Sequence, residues 1–574
     1  MNRCHHTHWL SLCTQGNEIA LLESDRLQTL TNYIPDPNIQ PSLFVLIGNT
    51  AKSVALRELF GVKRARKFTN KRSAGEIHLH LDPSSIFHGR PVLLADGDLP
   101  KQSLRGKTVT ADKCHETIRR TIQRTRAGSS GLSLNEIADS IYTSLLFPFA
   151  DVFCFFCADL GSFRQIARHI ATWLEKGHSS TLPKSTYPRV VIATENISPG
   201  AESEAKKAFL WLLREETTKD LSELISAIDI VALFPNGTMS VDARHRRLKE
   251  RLMDSSDQVR KSREDARTLF SATHFAAFLK YACGHFSETV DEPIDLIRAS
   301  RIHNPVAPDL AEHLSNFLKH VKSTNELTEF AVPMTASSLF LDSYPPEAHS
   351  KYYPARKLSH ANFDIAFEPK TVFNTIYKDV FCQVTKARVI AFEQSNHVIL
   401  RSGFINMVEN QFVRCFQQFT CNNVTAAEIH KSNLTRFRDR WRHIRSSNTC
   451  LSCLRRRPQY CLPCGHCICE NCIIVFGDRC KDDPWIFKVR HCFLCREEMP
   501  NDISVKVHPP TAGVGVLCID GGGTRGIVPL MLMKQIQDRI GLPIPFQRFI
   551  KVAFGVSIGK SSIHFKEKES ILTI

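Results

Sequence analysis

Residues 450–495 read CLSCLRRRPQYCLPCGHCICENCIIVFGDRCKDDPWIFKVRHCFLC and contain half of the 20 cysteines of the chain. The spacing is C-x2-C, ten residues, C-x-H-x2-C-x2-C, nineteen residues and C-x2-C. Thiolates and an imidazole in such pairs suit tetrahedral zinc, because each two-residue turn brings two sulfurs to one ion at about 2.3 Å. The spacing predicts a zinc module over residues 446–500 with eight ligands: Cys450, Cys453, Cys464, His466, Cys469, Cys472, Cys492 and Cys495.

The complete spacing resembles that of the RING zinc fingers, whose cross-braced topology implies two Zn²⁺ ions. One ion would be held by Cys450, Cys453, Cys469 and Cys472, and the other by Cys464, His466, Cys492 and Cys495. Cys461 is an alternative to Cys464 as the third ligand, whereas Cys467 and Cys480 have no assigned role. In so small a module the metal ions replace a hydrophobic core, so chelation is expected to unfold it.

Many RING fingers are ubiquitin ligases, which dock a ubiquitin-conjugating enzyme on an apolar groove. Leu451 lies between the first two ligands, Trp485 precedes the last ligand pair, and Arg496 follows it, where many active members of the family keep a cation. The last pair encloses Phe493 and Leu494, without the proline common in ligases. The resemblance therefore leaves two interpretations, a ubiquitin ligase or a zinc-stapled module for protein interaction.

A second pair of motifs lies near the end of the chain, where Val516–Gly526 read VLCIDGGGTRG and Val552–Gly559 read VAFGVSIG. Each motif begins with an apolar run that predicts a buried strand. The first motif then supplies glycines, whose backbone N–H groups can point at an oxyanion. The second places Ser557 between Gly555 and Gly559, the pattern of a nucleophile elbow.

Together these motifs resemble the patatin-like phospholipases, over residues 513–574. The resemblance implies an α/β domain in which Gly521, Gly522, Gly523 and Arg525 form the oxyanion hole and Ser557 attacks a lipid acyl ester. That family activates its serine with an Asp from a D-G-[AG] motif, and the 17 residues after Ser557 contain no Asp. We therefore expect the chain to be truncated after the elbow and inactive as a hydrolase by itself.

Residues 41–240 alternate apolar strands with helical stretches, a pattern that predicts an α/β domain with a mostly parallel sheet. The order resembles a nucleotide-binding G domain. Lys52 and Ser53 stand where a P-loop has its Lys and Ser, and Asp96 ends a strand as a Walker B Asp does. Leu46 and Ala51 replace the two glycines of the P-loop pattern, so the alternatives are weak nucleotide binding and a degenerate domain with a structural role.

Length and composition indicate a multidomain protein of the α/β plus α class. The predicted domains are an N-terminal extension (1–40), the P-loop-like domain (41–240), a mainly helical region (241–445), the zinc module and the patatin-like fragment.

We find neither a signal peptide nor an apolar run long enough to span a bilayer, and we expect a cytoplasmic protein. The expected partner is a ubiquitin-conjugating enzyme or another protein, and the alternative is a phospholipid surface. The net charge of +16 is scattered along the chain, so no nucleic-acid partner is expected.

The sequence thus supports two classes of function. In the first, the protein is a patatin-like lipid acyl hydrolase with a Ser-Asp dyad, regulated or localised by its zinc finger. In the second, it is a zinc-dependent interaction protein or ubiquitin ligase with a vestigial lipase end.

Overall fold

The computed structural model describes residues 6–16, 18–62, 75–87, 89–99, 116–123, 132–177, 180–234, 240–290, 292–302, 304–344, 367–384, 401–421, 424–507, 515–519, 527–540, 550 and 552–556. Within it the chain forms two compact units. The first contains Met1–Cys461, Gly465–Ile468 and Phe493–Cys495, and the second contains Leu462–Cys464, Cys469–Cys492 and Arg496–Ile574.

A nine-stranded mixed sheet forms the core of the first unit. Its strands are β1 (His8–Gln15), β2 (Glu18–Ser24), β3 (Ser42–Ile47), β4 (Ile77–Leu81), β5 (Val92–Gly97), β6 (Thr117–Thr121), β7 (Val152–Phe156), β8 (Arg189–Thr194) and β9 (Ala227–Ala232). Their order across the sheet is β6-β2-β1-β4-β5-β3-β7-β8-β9. The five strands from β5 to β9 in this order are parallel, and the other four pair antiparallel. The sheet is therefore mixed, whereas the sequence pattern predicted a mostly parallel one.

Strand β3 lies in the parallel half of the sheet, at the point where the order of the strands reverses. Strand β3 is an uninterrupted apolar run after its first residue, and all six of its residues are buried. It lies between β5 and β7, so the chain moves to one side of β3 and then to the other. Ligands of α/β sheets bind at the carboxyl ends of the strands at such a reversal. The residues that follow β3 and β7 consequently become neighbours.

The N-terminal residues differ from the expected extension, because β1 and β2 form a hairpin inside the sheet. The side chains of Trp9, Leu10 and Leu12 belong to the main hydrophobic core. Gly16 provides the turn between the two strands with a φ of 59°. The apolar stretch around Trp9 is long enough for a buried strand.

The helices that cover the sheet and continue beyond it are numbered in chain order. They are α1 (Arg26–Thr31), α2 (Thr50–Phe60), α3 (Pro83–Phe87), α4 (Leu134–Ser140), α5 (Cys157–Leu160), α6 (Phe163–Lys176), α7 (Glu202–Glu216), α8 (Val241–Asp265), α9 (Ala272–Glu288), α10 (Leu296–Ala299), α11 (Leu310–Leu318), α12 (Thr324–Glu326), α13 (Val332–Ser343), α14 (Pro369–Ile376), α15 (Arg401–Cys421), α16 (Ala426–Arg436) and α17 (Arg438–Trp441). Two segments, Ile141–Leu146 and Leu327–Ala331, are π-helical, and Lys184–Thr186 and Leu221–Glu223 are short 3-10 turns.

The boundary expected at residue 240 also differs, because α8 and α9 belong to the layers on the sheet. Leu248 and Leu252 of α8 are buried against α2 and the strands. Arg263, near the end of α8, is buried and donates to Asp151 at 2.7 Å and to backbone carbonyls that include that of Ala150 at 2.8 Å. A buried guanidinium needs such partners, since an uncompensated charge in a protein core is costly. These contacts fix α8 to the sheet.

Helices α11 to α17 form a second hydrophobic core in the first unit. Trp441 is fully buried, and its ring lies 4.9 Å from that of Phe330 and 5.9 Å from that of Phe317. Helix α16 begins with a capping box, in which Thr425 and Glu428 satisfy each other's backbone N–H groups. The mainly helical character expected for this region is therefore found from α10 onward among the described residues.

Where the structure describes it, the second unit contains short strands and two helices. Strands β12 (Asp478–Arg479), β13 (Ile486–His491) and β14 (Glu498–Lys506) form an antiparallel sheet, and β15 (Val516–Ile519) pairs in parallel with β16 (Val552–Gly555). Its helices are α18 (Glu470–Phe476) and α19 (Ile527–Ile540). The remaining pair, β10 (Tyr460–Cys461) and β11 (Cys467–Ile468), forms a hairpin in the first unit.

Candidate metal centre

The eight predicted zinc ligands lie in two groups of four. Within each group one potential ligand atom from every residue lies within 4.8 Å of the others. The groups are Cys450, Cys453, Cys469 and Cys472, and Cys464, His466, Cys492 and Cys495. Seven thiols and one imidazole, almost all buried, are the donor set of structural zinc sites. The residues present therefore fit two Zn²⁺ ions, and they alternate along the chain as the RING resemblance implies.

Two tight turns form the first and last ligand pairs in the same way. The N–H of Leu454 donates to the carbonyl of Cys450 at 2.7 Å, and the N–H of Arg496 donates to the carbonyl of Cys492 at 3.1 Å. Leu454 and Arg496 both have positive φ values, of 56° and 63°. A non-glycine residue in this conformation marks a tight, over-determined turn. The turn brings both sulfurs of a pair to the same side.

His466 has a second contact that decides which of its nitrogens faces the metal site. Its Nε2 lies 2.8 Å from the carbonyl oxygen of Trp441 and 2.8 Å from a guanidinium nitrogen of Arg445. One nitrogen cannot both donate to the carbonyl and accept from Arg445. A metal-bound imidazole usually donates its other N–H to a carbonyl or carboxylate, and Arg445 has the carbonyl of Arg442 at 2.7 Å. We therefore assign the Nε2 proton to the bond with Trp441, and Nδ1 would then be the nitrogen that is available to a Zn²⁺ ion.

The loop of the first ligand pair is embedded in the helical core of the first unit. All seven residues of Thr449–Arg455 are buried. Thr449 lies 2.9 Å from His313 Nδ1 in α11, and the hydroxyl of Ser338 in α13 donates to the carbonyl of Cys453. The loop is therefore part of that core, in which its polar atoms find partners on α11 and α13.

His430 of α16 fixes the same loop from another side. Burial lowers the pKa of His430 to about 4, so the ring is neutral at pH 7. A neutral imidazole has one N–H, and His430 Nε2 lies 2.7 Å from the carbonyl of Ser452, which can only accept. His430 Nδ1 must then accept from the hydroxyl of Ser337 at 2.8 Å. One histidine thereby connects α13, α16 and the ligand loop.

A buried ionic cluster holds the end of the loop. Asp342 of α13 accepts from Arg455, from Arg301 at 2.6 Å and from the hydroxyl of Tyr377 at 2.7 Å. Burial by itself would raise the pKa of Asp342, but Arg455 and Arg301 outweigh it and leave the pKa below the usual value. The carboxylate is thus charged and pairs with two guanidinium groups away from water. Sequence reasoning missed this cluster, because no local motif connects residues that lie 35 to 113 positions apart.

The remaining cysteines of the module have separate places. Cys461 and Cys467 face each other across the β10–β11 hairpin and form a disulfide, so Cys461 does not replace Cys464 in the ligand group. Cys480 belongs to neither group of four and is partly exposed. Cys480 is therefore a natural control position for tests of the ligands.

The three residues expected to matter for ligase docking have different surroundings. Leu451 is 2% exposed, because it lies within the embedded ligand loop. Trp485 is partly buried, and Arg496 is exposed. Leu451 is therefore not accessible on the surface of the protein.

The three P-loop-like residues lie together at the carboxyl ends of β3 and β5. Lys52 is fully buried, and its Nζ lies 2.5 Å from Asp96 Oδ1 and 2.5 Å from the carbonyl of Gly97. The hydroxyl of Ser53 donates to the carbonyl of Asn49 at 2.9 Å. Lys52 and Asp96 thus form a buried ion pair beside the start of α2.

The catalytic residues expected near the end of the chain, Gly521, Gly522, Gly523, Arg525 and Ser557, lie outside the described residues. The strands that precede them are described. Strands β15 and β16 are parallel, Ile519 pairs with Gly555, and α19 connects the two strands.

Comparison with known proteins adds no functional name. No protein-family model matches the chain, and no curated protein matches it. One solved structure similar to part of the chain is a crystal structure of an uncharacterised protein from Capnocytophaga ochracea. The two are 11% identical, the match covers 71% of this chain and 99% of that chain, and the TM-score is 0.18. A likeness of this size carries no argument about fold or function.

Each described helix is too short or too polar to cross a bilayer.

Proposed function

We propose that residues 450–495 bind two structural Zn²⁺ ions and that the protein is a zinc-dependent interaction protein. The observation that carries this proposal is the burial of the first ligand loop, Thr449–Arg455, in the helical core. Each group supplies four protein ligands, and closed four-ligand sites are structural, whereas catalytic zinc keeps an open position. The metal would therefore stabilise a shape rather than perform chemistry.

The burial of Leu451 favours an interaction protein over a ubiquitin ligase. A conjugating enzyme needs an accessible apolar groove, and Leu451 is covered. Exposing it would mean pulling the ligand loop out of contacts with His313, Ser338 and His430. The exposed Arg496 alone provides a charge but no apolar anchor, and such anchors dominate binding energy at interfaces.

Metal analysis of the full chain tests the zinc sites. We expect about two Zn²⁺ per chain, and a lower content in Cys453→Ser but not in Cys480→Ser, because only Cys453 belongs to a ligand group. A protein that is folded and free of metal in a zinc-containing buffer would overturn the proposal.

Ubiquitin transfer distinguishes the two interpretations of the module. With a panel of conjugating enzymes, we expect the full chain to build no ubiquitin chains above the level of Cys453→Ser. Chain formation by the wild type that disappears in both Cys453→Ser and Arg496→Ala would instead establish a ligase.

A lipid acyl hydrolase is a second candidate, and the parallel pairing of β15 and β16 favours it. The glycine-rich motif and Ser557 each follow one of these strands directly in the sequence. The carboxyl ends of paired parallel strands lie together, and in the sequence each motif begins after the carboxyl end of one of these two strands. An oxyanion hole must lie within hydrogen-bond reach of the atom that the nucleophile attacks. The chain order of β15, α19 and β16, with the two strands paired in parallel, supports this candidate.

Phospholipid hydrolysis by the purified full chain tests the second candidate. If this end of the chain is a hydrolase, fatty acid release should fall by about 10³-fold or more in Ser557→Ala, since the nucleophile is lost. Ser561→Ala, which changes a nearby serine outside the elbow, should retain the activity. Equal release by the wild type and Ser557→Ala would exclude hydrolysis through this serine.

A further inference from the structure

The turn between β3 and α2 directs three backbone N–H groups at one carboxylate of the same chain. Asp159 Oδ2 accepts from Asn49 N at 2.5 Å and from Lys52 N at 3.0 Å, and Asp159 Oδ1 accepts from Ala51 N at 2.9 Å. Both carboxylate oxygens are used. Asp159 belongs to α5, which follows β7, and β7 is the parallel neighbour of β3.

These N–H groups are the kind of donor that holds phosphates in a P-loop. The first turn of a helix has unpaired N–H groups and a positive partial charge, so it favours anions. In a P-loop, the backbone N–H groups between a strand and a helix surround the phosphates, and a lysine reaches them. Here Ala51 replaces a glycine of the motif, but its N–H still donates. The replacement therefore leaves this amide of the cradle in use.

The carboxylate also fills the space at this turn. A Cβ built on Gly48 would lie 2.7 Å from Asp159 Oδ2 and 3.1 Å from Phe156 Cβ, both closer than normal contacts. The backbone of the turn thus approaches Asp159 too closely for another group to lie between them. The charged end of Lys52 is engaged nearby with Asp96 and the carbonyl of Gly97.

We propose that this amide cradle is an anion site whose resident ligand is the Asp159 carboxylate, held where a P-loop holds a phosphate. The contact closes the cradle to free phosphate and to nucleotide phosphates. It also fixes α5 to the start of α2, so the domain keeps its shape without a nucleotide. Removing the carboxylate should open the cradle to an external anion. This inference is independent of the zinc sites.

Thermal melting of the full chain with and without inorganic phosphate tests the proposal. We expect Asp159→Ala to melt at least about 3 °C below the wild type, because three charge-assisted hydrogen bonds are lost. Phosphate at about 10 mM should raise the melting temperature of this variant, since a ligand that binds only the folded state stabilises it. The wild type should not respond. Asp220→Ala is the matched control, because Asp220 accepts a backbone N–H at 2.7 Å on an exposed turn without a cradle.

The same melting experiment with a nucleoside triphosphate and Mg²⁺ distinguishes inorganic phosphate from the phosphates of a nucleotide as the anion. A response of Asp159→Ala equal to that with inorganic phosphate means that only the anion cradle has opened. A stronger response means that the rest of a nucleotide pocket is present as well, and both results support the proposal. Phosphate or nucleotide binding by the wild type as strong as by Asp159→Ala would overturn it.

Two further measurements test the proposal if Asp159→Ala does not fold. Asp159→Asn keeps the volume but removes the charge, and its melting temperature should rise with phosphate. In the wild type, the amide protons of Asn49, Ala51 and Lys52 should exchange slowly in phosphate-free buffer, with rates that phosphate does not change. Fast exchange of these protons, slowed only by added phosphate, would show that Asp159 does not occupy the cradle.

Discussion

Chelation of zinc from the full chain is expected to reduce its helical content as well as to unfold residues 446–500. The first ligand loop is buried among α11, α13 and α16, so its loss would remove part of the helical core. Structural zinc in finger peptides contributes an apparent binding free energy of about 10–16 kcal/mol, as much as the whole stability of a typical domain. Because the ligand loop packs in the helical core, we expect the loss of a free energy of that size to destabilise the core as well.

Far-ultraviolet circular dichroism during titration with a chelator measures this effect. We expect the helical signal and the metal content to fall together, and both to return when zinc is added back. Cys453→Ser should show the reduced helical signal without a chelator, whereas Cys480→Ser should match the wild type, because Cys480 lies in neither ligand group. A chelated protein that keeps its full helical signal and melting temperature would show that the module is an independent appendage.

Asp342→Asn is expected to destabilise the helical region by about 3–5 kcal/mol, the usual cost of removing one partner from a buried ion pair. The substitution keeps the volume of the side chain but removes the buried carboxylate that Arg301 and Arg455 share. Because Arg455 belongs to the ligand loop, the variant should also lose zinc to a chelator more readily. Denaturant unfolding of the two proteins measures the difference in free energy.

An exposed ion pair provides the control for the Asp342 variant. Glu204 and Lys207 lie one helical turn apart on α7, 2.9 Å from each other and largely in solvent. Glu204→Gln should change the free energy of unfolding by less than about 0.5 kcal/mol. A similar small value for Asp342→Asn would contradict a structural role for the buried cluster.

The cost of Asp342→Asn should depend on pH in a defined direction. The pKa of Asp342 is lowered in the folded protein, so its carboxylate stabilises the fold above the pKa of the unfolded chain, about 3.9. As pH falls through the lower folded-state pKa, the wild type also loses this charge. The difference in stability between the two proteins should therefore shrink in strong acid.

Local patterns were sufficient for much of the architecture. The apolar runs of β3, β5, β7, β8 and β9 predicted strands, and the alternation with helices predicted an α/β domain. The pattern did not predict β1 and β2, because a short apolar run at a terminus has the same composition whether it frays or pairs. It also placed α8 in a separate region, since periodicity shows that a helix has an apolar face but not which layer covers that face.

The spacing of cysteines and histidine predicted two groups of four potential zinc ligands without any structure, because a two-residue turn brings two thiols close together whatever surrounds it. The tertiary structure decided what surrounds them. It buries Leu451 in the helical core, places Asp342 against Arg455, and inserts Asp159 into the turn after β3. The contact of Asp342 with Arg455 and that of Asp159 with Asn49 join residues 113 and 110 positions apart. The packing of helices and strands decides which distant residues come into contact, and no local pattern in the sequence predicts those contacts.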